Sequence, residues 1–394
     1  MSRARLTNKL FSTTVEHMDS AAPVLVESKG GMRCFILNRP AKLNAINRAI
    51  TDFIHPRLIK YEKSDMTKLI VFRGVGRAFS SGGDVKAGAI NIKKGRVDEV
   101  RSAFAEEYRM CHTIATCAKP VVTLMNGITM GGGAGIAMHT PFRIACQDTK
   151  FAMPETTIGY FTDVAASFFL SRLSHSFGRY LALTSSVVSG YDCVKFGIAT
   201  HYVPKHMFDE LLNRLAELNT SEVSVLLKSI QEFSVKPESY EYQSAYPESR
   251  ISIINDAFSH ETIPEIMKAL EKNGSEFALQ TLDVLHTRCP LSMLVTDALL
   301  HKARRWTITD AFKYDHIVSY HMLKQPDFVR GVTARLIEKS KNAPSWQHKS
   351  VQEVDPATVQ SCFEPLPENI PCDYYSKDRP RTDLWDEKNI IRYN

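Results

Sequence analysis

Three consecutive glycines, Gly131 to Gly133, are the first feature of this sequence that could support chemistry. They follow a short apolar, β-branched run that predicts a buried strand and the turn signal Asn126-Gly127, and they lead into an apolar helical segment that ends near Met138. Glycines are costly inside a helix, but they allow a ligand to approach the backbone. Because a helix start offers unpaired N–H groups, we interpret this segment as an oxyanion hole.

Other interpretations of this glycine segment fit less well. The segment between Lys119 and Arg143 is uncharged, but its five glycines interrupt the apolar character that a membrane span requires. A phosphate loop needs Gly-Lys-Ser/Thr and a dinucleotide-binding turn needs G-x-G-x-x-G, and neither pattern occurs here. Close packing of a helix without any ligand remains an alternative.

A second glycine turn directly follows another predicted strand, Leu69–Phe72. Residues 74–84 read Gly-Val-Gly-Arg-Ala-Phe-Ser-Ser-Gly-Gly-Asp. Serines and glycines suit a loop whose backbone N–H groups face a ligand, whereas an ordinary surface loop is the alternative.

Two carboxylates, Glu155 and Asp163, lie eight residues apart in a loop that is otherwise apolar and contains glycine and proline. A carboxylate among apolar groups tends to have a raised pKa, which suits acid–base chemistry. Asp163 could also be the N-cap of a helix over residues 164–173, and the two roles are compatible.

The elements expected to position these residues indicate α/β structure up to about residue 205. A β-hairpin (Val24–Glu27 and Cys34–Leu37), a helix from Asn44-Ala45, a helix over residues 98–117 and a strand (Phe142–Cys146) accompany the two glycine turns. Glu106 and Glu107 lie in the helix over 98–117, and one of the two is expected to face solvent. Helical spacing of apolar residues continues at Leu211–Leu218, Val223–Ile230, Glu276–Leu285, Ser292–His301 and Ile308–Leu323.

The composition excludes several classes of protein. The 394 residues predict two domains, or one large domain with an extension. Eight widely spread cysteines without a C-x-x-C pair indicate reduced thiols and not a disulfide framework. Thirteen histidines show no H-E-x-x-H or paired spacing, so no metal site is predicted.

The first fifteen residues contain Arg3, Arg5 and Lys9 and no acidic residue, among apolar residues, serine and threonine. This composition is typical of a mitochondrial presequence, and an untargeted terminus is the alternative. Setting these three charges aside leaves 46 basic residues against 43 acidic ones, an excess too small to indicate nucleic-acid binding.

Several motifs together resemble the crotonase, or enoyl-CoA hydratase/isomerase, superfamily. They are N-R-P…L-N-A at 38–45, A-F-S-S-G-G-D at 78–84, N-G…G-G-G at 126–133 and M-P-E-T at 153–156. Within the superfamily the sequence is most similar to the 3-hydroxyisobutyryl-CoA hydrolases, through E-E-Y at 106–108, G-I-A-T-H at 197–201, G-S-E-F-A-L at 274–279 and P-S-W at 344–346. The similarity extends to about residue 363.

The resemblance implies an α/β fold, a crotonase-like spiral of ββα repeats with a mostly helical C-terminal region. We divide the sequence into a mitochondrial presequence (1–20), a crotonase-like core (21–205), a helical C-terminal region (206–363) and a tail (364–394). The tail contains four prolines and four aromatic residues and lies beyond the family similarity.

The resemblance also implies a coenzyme A thioester as substrate and the residues that contact it. The thioester oxygen would lie between the N–H groups of Gly83 and Gly132. Glu155 and Asp163 match the catalytic carboxylates of the family, and Glu107 matches a carboxylate that contacts the substrate. Neither a metal nor a cofactor is implied, because coenzyme A is part of the substrate.

A hydratase of this superfamily would carry a second glutamate at the position of Gly135, so hydrolysis is favoured over hydration or isomerisation. The motif Phe-Pro-Asp-Val-Gly-Gly-Gly of the family is Phe-Thr-Asp-Val-Ala-Ala-Ser at 161–167, and a common acidic residue is replaced by Arg330. Both departures are expected at the acyl pocket or its wall, and they leave the exact acyl group and full activity open.

The leading prediction is a hydrolase of the mitochondrial matrix that acts on 3-hydroxyisobutyryl-CoA in valine catabolism, without a membrane or nucleic-acid partner. Glu155 either attacks the carbonyl or activates water, and the oligomeric state, including a homo-oligomer, stays open. The alternative is a small-subunit protein of the mitochondrial ribosome, because proteins that resemble this hydrolase occur in some mitochondrial ribosomes. The aromatic tail fits that alternative, whereas the retained Glu155, Asp163 and Gly132 fit it less well.

Overall fold

The computed structural model describes residues 14–16, 21–236 and 242–372. Most of the predicted presequence and the tail beyond residue 372 therefore lie outside the described residues. The strands are β1 (Thr14–Glu16), β2 (Val24–Lys29), β3 (Met32–Leu37), β4 (Leu69–Gly74), β5 (Ala78–Ser80), β6 (Val121–Met125), β7 (Ile128–Met130), β8 (Phe142–Ala145), β9 (Lys150–Ala152), β10 (Val188–Ser189) and β11 (His201–Tyr202).

Helices connect these strands and form most of the C-terminal half. They are α1 (Arg48–Lys63), α2 (Val85–Lys93), α3 (Val97–Ala115), α4 (Gly132–Met138), α5 (Ala166–Leu170), α6 (Phe177–Thr184), α7 (Asp192–Lys195), α8 (Phe208–Leu218), α9 (Val223–Phe233), α10 (Glu248–Phe258), α11 (Ile263–Asn273), α12 (Glu276–Thr287), α13 (Pro290–Ala303), α14 (Ile308–Met322), α15 (Pro326–Val332) and α16 (Pro356–Ser361).

The larger of two sheets has the strand order β1-β2-β3-β4-β6-β8-β11. Strands β1 to β3 pair antiparallel, and the remaining pairs from β3 to β11 are parallel. Side chains alternate between the two faces of a strand. Phe35 and Leu37 accordingly pack in one core cluster, whereas Cys34 and Ile36 pack with the buried leucines of α8 and α9 in another.

The smaller sheet has the order β10-β9-β7-β5, and it positions the candidate site. The chain places β4, β6 and β8 in the large sheet and the strand that follows each of them, β5, β7 and β9, in the small sheet. Since β5, β7 and β9 are parallel neighbours, the loops that follow them leave the sheet at the same edge. The predicted ββα spiral is therefore confirmed, and its geometry brings three distant loops together.

Two predicted helix starts are wrong. Helix α1 begins at Arg48 and is capped by the side chain of Asn47, not at Asn44. Asn44 instead has a left-handed backbone, with φ of 54°, and its side-chain amide donates to the carbonyl oxygen of Ala78 at 2.8 Å. Helix α5 begins at Ala166 without a side-chain cap, so Asp163 is not an N-cap.

The five predicted C-terminal helices are confirmed with boundaries that differ by a few residues. The sequence prediction omitted α10 and α11, although Thr262 and Glu265 form a capping box before α11. The helical region is tied to the core by a buried ion pair in which Arg179 of α6 contacts both carboxylate oxygens of Asp297 of α13, at 2.6 and 2.7 Å. All eight cysteines are free thiols, as predicted.

Candidate active site

Two glycine turns meet at the edge of the small sheet. Gly82 and Gly131 have φ values of 97° and 51°, in the region that glycine adopts without steric cost. The turns touch through their backbones: a Cβ on Gly82 would lie 3.1 Å from the nitrogen of Gly132, and a Cβ on Gly132 would lie 3.4 Å from the nitrogen of Gly83. The structure therefore places the predicted N–H groups of Gly83 and Gly132 side by side.

The N–H groups of Gly83 and Gly132 are available to a ligand. Among the described residues, neither group has a hydrogen-bond partner, and Gly132 is the first residue of α4, where an N–H has no partner within the helix. Two unpaired donors on neighbouring backbone segments can together bind the oxygen of a polarised carbonyl group.

The neighbouring residues Glu106 and Glu107 of α3 point in different directions. Glu106 faces outward and pairs with Arg109 at 2.6 Å. Glu107 is only 7% exposed and contacts both glycine turns, because a Cβ on Gly132 would lie 1.8 Å from its Oε1 and a Cβ on Gly83 would lie 3.3 Å from its Oε2. Burial, with a contribution from Asp163, raises the pKa of Glu107 to about 8.

Glu155 begins a 3₁₀ helix (Glu155–Thr157) in the loop that follows β9. Its carboxylate is buried, with Oε1 3.0 Å from the position of a Cβ on Gly131. The other oxygen, Oε2, is buried without a hydrogen-bond partner among the described residues. Burial, and then the charge of Asp163, raises the pKa of Glu155 well above its usual value.

Asp163 lies in the same loop and is held by a network of hydroxyl groups. The phenol of Tyr108 donates to Oδ2 of Asp163 at 2.7 Å, and its oxygen lies 3.2 Å from the phenol oxygen of Tyr160. Tyr160 in turn donates to the hydroxyl of Ser319 at 2.7 Å. Burial raises the pKa of Asp163 to about 7, although the hydrogen bond from Tyr108 opposes the rise.

The two residues that follow Asp163 have a strained backbone. Val164 and Ala165 both have φ of 54°, which costs a residue with a Cβ roughly 1–2 kcal/mol. His139, directly after α4, contacts the carbonyl oxygen of Val164 through Nε2 at 2.8 Å. Asp315 of α14 accepts a hydrogen bond from the N–H of Ala165. The two contacts hold the strained turn, and with it Asp163, against α4 and α14.

His139 is neutral at physiological pH, because burial lowers its pKa to about 4. Its Nε2 must therefore carry the proton that it donates to the Val164 carbonyl. The same helix thus begins with Gly132, the predicted oxyanion-hole donor, and ends at the histidine that supports the loop of Asp163.

The sequence did not indicate the supporting roles of four residues that hold Asp163 and its loop: Tyr108, Tyr160, His139 and Asp315. Tyr108 follows the predicted Glu107 directly, so its motif carried a signal. Asp315 had no local signal, because it is 150 residues from its partner Ala165 and lies in an amphipathic helix. Burial raises the pKa of Asp315 well above its usual value.

A cavity of about 440 Å³ lies over the glycine turns. Glu107, Glu155 and Asp163 line it, so the structure brings all five predicted site residues together. Apolar side chains form most of the remaining wall, and two residues of the C-terminal region, Arg335 and Leu336, complete it. Its lining residues are Ser81, Gly82, Gly83, Val85, Phe104, Glu107, Met130, Gly131, Gly132, Pro154, Glu155, Thr157, Ile158, Tyr160, Asp163, Arg335 and Leu336.

The two departures from the family pattern do not line this cavity as expected. Of residues 162–167, only Asp163 contributes to the lining. Arg330 is 46% exposed in its side chain and contacts Asp327 at 3.7 Å. The changed residues at 165–167 therefore belong to the buried framework behind the site, whereas Arg330 faces solvent. Ala165 in particular takes a left-handed conformation that glycine would adopt more easily.

The position of Gly135 has no room for a second glutamate. A Cβ at Gly135 would lie 2.6 Å from Cβ of Val164, so a longer side chain would displace the strained turn. The third carboxyl group that lines the cavity belongs to Glu107 on α3.

The geometry suits reactions at a carbonyl carbon. The glycine N–H groups can stabilise negative charge on a carbonyl oxygen, while neighbouring carboxyl groups hold and release protons. Because Glu155 and Asp163 are buried together, they do not both ionise readily. One can act as base or nucleophile while its protonated partner acts as acid.

Neither a metal centre nor a membrane span is visible in the part of the chain that the structure describes. Its histidine, cysteine, aspartate and glutamate side chains form no group of three or more that could hold a metal ion. None of its helices combines the length and the apolar character needed to cross a bilayer.

Comparisons with known proteins agree with this geometry. The family model described as enoyl-CoA hydratase/isomerase matches residues 32–363. A carnitinyl-CoA dehydratase from Mycobacterium thermoresistibile has a similar crystal structure, with a TM-score of 0.79 and 30% identity over 88% of this chain and 97% of that one.

Two named relatives span most of the chain. The small ribosomal subunit protein mS47 of Schizosaccharomyces pombe is 51% identical over 98% of this chain and 90% of its own length. The mitochondrial 3-hydroxyisobutyryl-CoA hydrolase of Gallus gallus is 37% identical over 90% of this chain and 92% of its own length.

Proposed function

The chain belongs to the enoyl-CoA hydratase/isomerase family, and we propose that it hydrolyses a short branched 3-hydroxyacyl-CoA, with 3-hydroxyisobutyryl-CoA as the first candidate. The observation that carries this proposal is the position of the buried Glu155 carboxylate, in contact with the glycine turn that supplies Gly132. The resemblance to a named 3-hydroxyisobutyryl-CoA hydrolase supports the substrate, which would place the protein in valine catabolism.

In the proposed reaction the thioester oxygen accepts hydrogen bonds from Gly83 and Gly132. These donors favour the transition state, in which negative charge develops on that oxygen. The ionised Glu155 either removes a proton from a water molecule that attacks the carbonyl carbon, or attacks that carbon itself to form an anhydride that water then hydrolyses. Both routes break the carbon–sulfur bond and release coenzyme A as its thiol and the free acid.

Asp163 is proposed to manage the second proton. The charge of Asp163 favours a proton on Glu155 at rest. In the proposed reactive state this proton lies on Asp163, which leaves Glu155 ionised and lets Asp163 donate to the leaving thiolate. Tyr108 keeps the Asp163 side chain in place through its 2.7 Å hydrogen bond. Glu107, protonated because burial raises its pKa, can donate to the substrate without adding negative charge beside the oxyanion.

No cofactor beyond the substrate's own coenzyme A is proposed. Mitochondria are the proposed location, supported by the similarity to the mitochondrial hydrolase of Gallus gallus and by the basic N-terminal composition. The proposal includes a location in the matrix and the presequence 1–20. Removal of all twenty residues would also remove β1 (Thr14–Glu16), which pairs with β2. A cleavage site before Thr14 would therefore preserve the sheet.

The experiment that tests this function is a hydrolysis panel with the purified chain. Acetyl-, isobutyryl-, 3-hydroxypropionyl- and 3-hydroxyisobutyryl-CoA are incubated with the protein, and release of free thiol is followed. We expect the highest kcat/KM with the branched 3-hydroxyacyl group. Absence of thiol release from every thioester would contradict the proposal.

A second candidate function is a structural role in the small subunit of the mitochondrial ribosome. One observation fits it: identity to the S. pombe ribosomal protein is 51% over 98% of the chain, against 37% over 90% for the hydrolase. Sedimentation of mitochondrial extracts tests this role. Stoichiometric co-migration with the small subunit at high salt would support it, and migration only as free protein would contradict it.

A further inference from the structure

The guanidinium group of Arg335 lies in the cavity wall and has no role in the proposed reaction. Arg335 belongs to a π-helix (Thr333–Ile337) that follows α15, and it lines the cavity together with Leu336. Short π-helical segments are uncommon and occur frequently at functional sites.

Arg335 has no hydrogen bond or ion pair among the described residues, and its Nε is buried. The other arginines nearby are bound: Arg330 contacts Asp327, and Arg288 donates to the carbonyl oxygen of Thr184 at 3.0 Å. A buried donor without a partner is costly, so a guanidinium in this state on a cavity wall favours an anionic ligand.

The charges of the cavity are arranged along its depth. The carboxylates of Glu155 and Asp163 are 5% and 6% exposed, whereas Arg335 is only half-buried. Acidic groups thus occupy the inner part, and the cation lies nearer to solvent. An anion at the inner, acyl end of a substrate would meet carboxylates, but an anion on the outer part would meet Arg335.

We propose that Arg335 binds a phosphate of the coenzyme A carrier as the pantetheine arm leaves the cavity. The inference rests on the proposed hydrolase function, since it assumes that an acyl-CoA thioester occupies the site. Guanidinium groups suit this task, because their planar donors match phosphate oxygens.

Binding of non-hydrolysable thioethers tests the role of Arg335 without depending on turnover. S-propyl-CoA and S-propylpantetheine are titrated by calorimetry into the parent, Arg335→Gln and Arg330→Gln. Loss of a charge-assisted hydrogen bond should raise the Kd of Arg335→Gln for S-propyl-CoA about tenfold or more. Its Kd for S-propylpantetheine, which lacks the nucleotide diphosphate, should equal that of the parent.

Arg330→Gln is the matched control, because it removes the same charge from an exposed side chain outside the cavity. It should stay within about twofold of the parent for both ligands, because Arg330 does not line the cavity. Higher salt should reduce the difference between the parent and Arg335→Gln, since ions screen a partly exposed pair.

Three outcomes would overturn the proposal. An equal loss of affinity for both thioethers would mean that Arg335 shapes the cavity and does not bind phosphate. A loss confined to a third ligand, S-carboxyethylpantetheine, would place the anion on the acyl side. If the parent does not bind S-propyl-CoA, Arg335 has no such ligand. Failure of the hydrolase function is seen separately, as absence of thiol release by the parent.

Discussion

The substitution Gly132→Ala adds one methyl group, yet we expect it to remove most of the hydrolysis. That methyl would lie 1.8 Å from Oε1 and 3.0 Å from Cδ of Glu107. Glu107 must move, and because it lines the cavity, its side chain would turn into the space that the substrate occupies. The methyl would also lie 3.4 Å from the nitrogen of Gly83, beside the space that the thioester oxygen needs.

The size of the effect follows from these contacts. Alanine keeps the backbone N–H of Gly132, but a thioester oxygen that the methyl group holds away from this N–H loses the hydrogen bond. Loss of one oxyanion-hole hydrogen bond typically lowers kcat by about 10²–10³, or about 3–4 kcal/mol of transition-state stabilisation. Overpacking by one methyl group typically costs about 1–3 kcal/mol of folding stability. Since domains are commonly stable by about 5–15 kcal/mol, the variant should remain folded at 25 °C while kcat/KM falls at least about 100-fold.

Steady-state thiol release and thermal unfolding, measured on the same preparations, separate these effects. Gly88→Ala is the matched control: its new methyl would lie 3.5 Å from Cγ1 of Val100, an ordinary contact in α2. It should keep parental activity and gain up to about 1 kcal/mol of helix stability. Hydrolysis by folded Gly132→Ala within about threefold of the parent would refute the assignment of the oxyanion hole.

Two further predictions concern stability. The pKa of Glu107 is raised from 4.5 to about 8 in the folded state, so the folded state favours the protonated carboxyl group and loses stability as the pH rises above about 4.5. Denaturant titrations should therefore show Glu107→Gln more stable than the parent by about 4 kcal/mol at pH 8 and nearly equal to it at pH 4. A stability difference that does not depend on pH would contradict the burial argument. Ala165→Gly removes the steric strain of the left-handed backbone at φ 54° and should raise the free energy of unfolding by about 1 kcal/mol. A lower free energy of unfolding for Ala165→Gly would show that this turn is not strained.

The sequence was sufficient for the fold class and for the five residues that line the site. Local signals carried part of both: β-branched runs followed by glycines predicted strands that end in tight turns, and an apolar loop predicted buried carboxylates at Glu155 and Asp163. The family resemblance, and not a local signal, assigned Gly83 and Glu107 to the site. The parallel order of β5, β7 and β9 was not predicted from spacing, and it came from the family resemblance.

The supporting residues could not be predicted, because their roles depend on tertiary contacts. Asp315 reads as one polar residue of an amphipathic helix, and only the fold brings it to the N–H of Ala165. Arg335 lies close in sequence to Arg330, and no local pattern indicates that the former lines the cavity while the latter faces solvent.

Helix starts were also predicted poorly, for a related reason. Asn44 and Asp163 are good N-cap residues by type, but tertiary hydrogen bonds to Ala78 and Tyr108 use their side chains instead.

The central claim, carboxylate catalysis at Glu155, is tested most directly by Glu155→Gln. Hydrolysis of 3-hydroxyisobutyryl-CoA is followed by thiol release, and S-propyl-CoA binding is titrated on the same sample. Glutamine keeps the shape of the side chain but removes both the base and the nucleophile. We predict at least about a 100-fold loss of kcat, the low end for a general base, with an unchanged Kd. If the variant hydrolyses at more than about one tenth of the parental rate, the loss is smaller than the minimum expected for a general base, and the claim is contradicted.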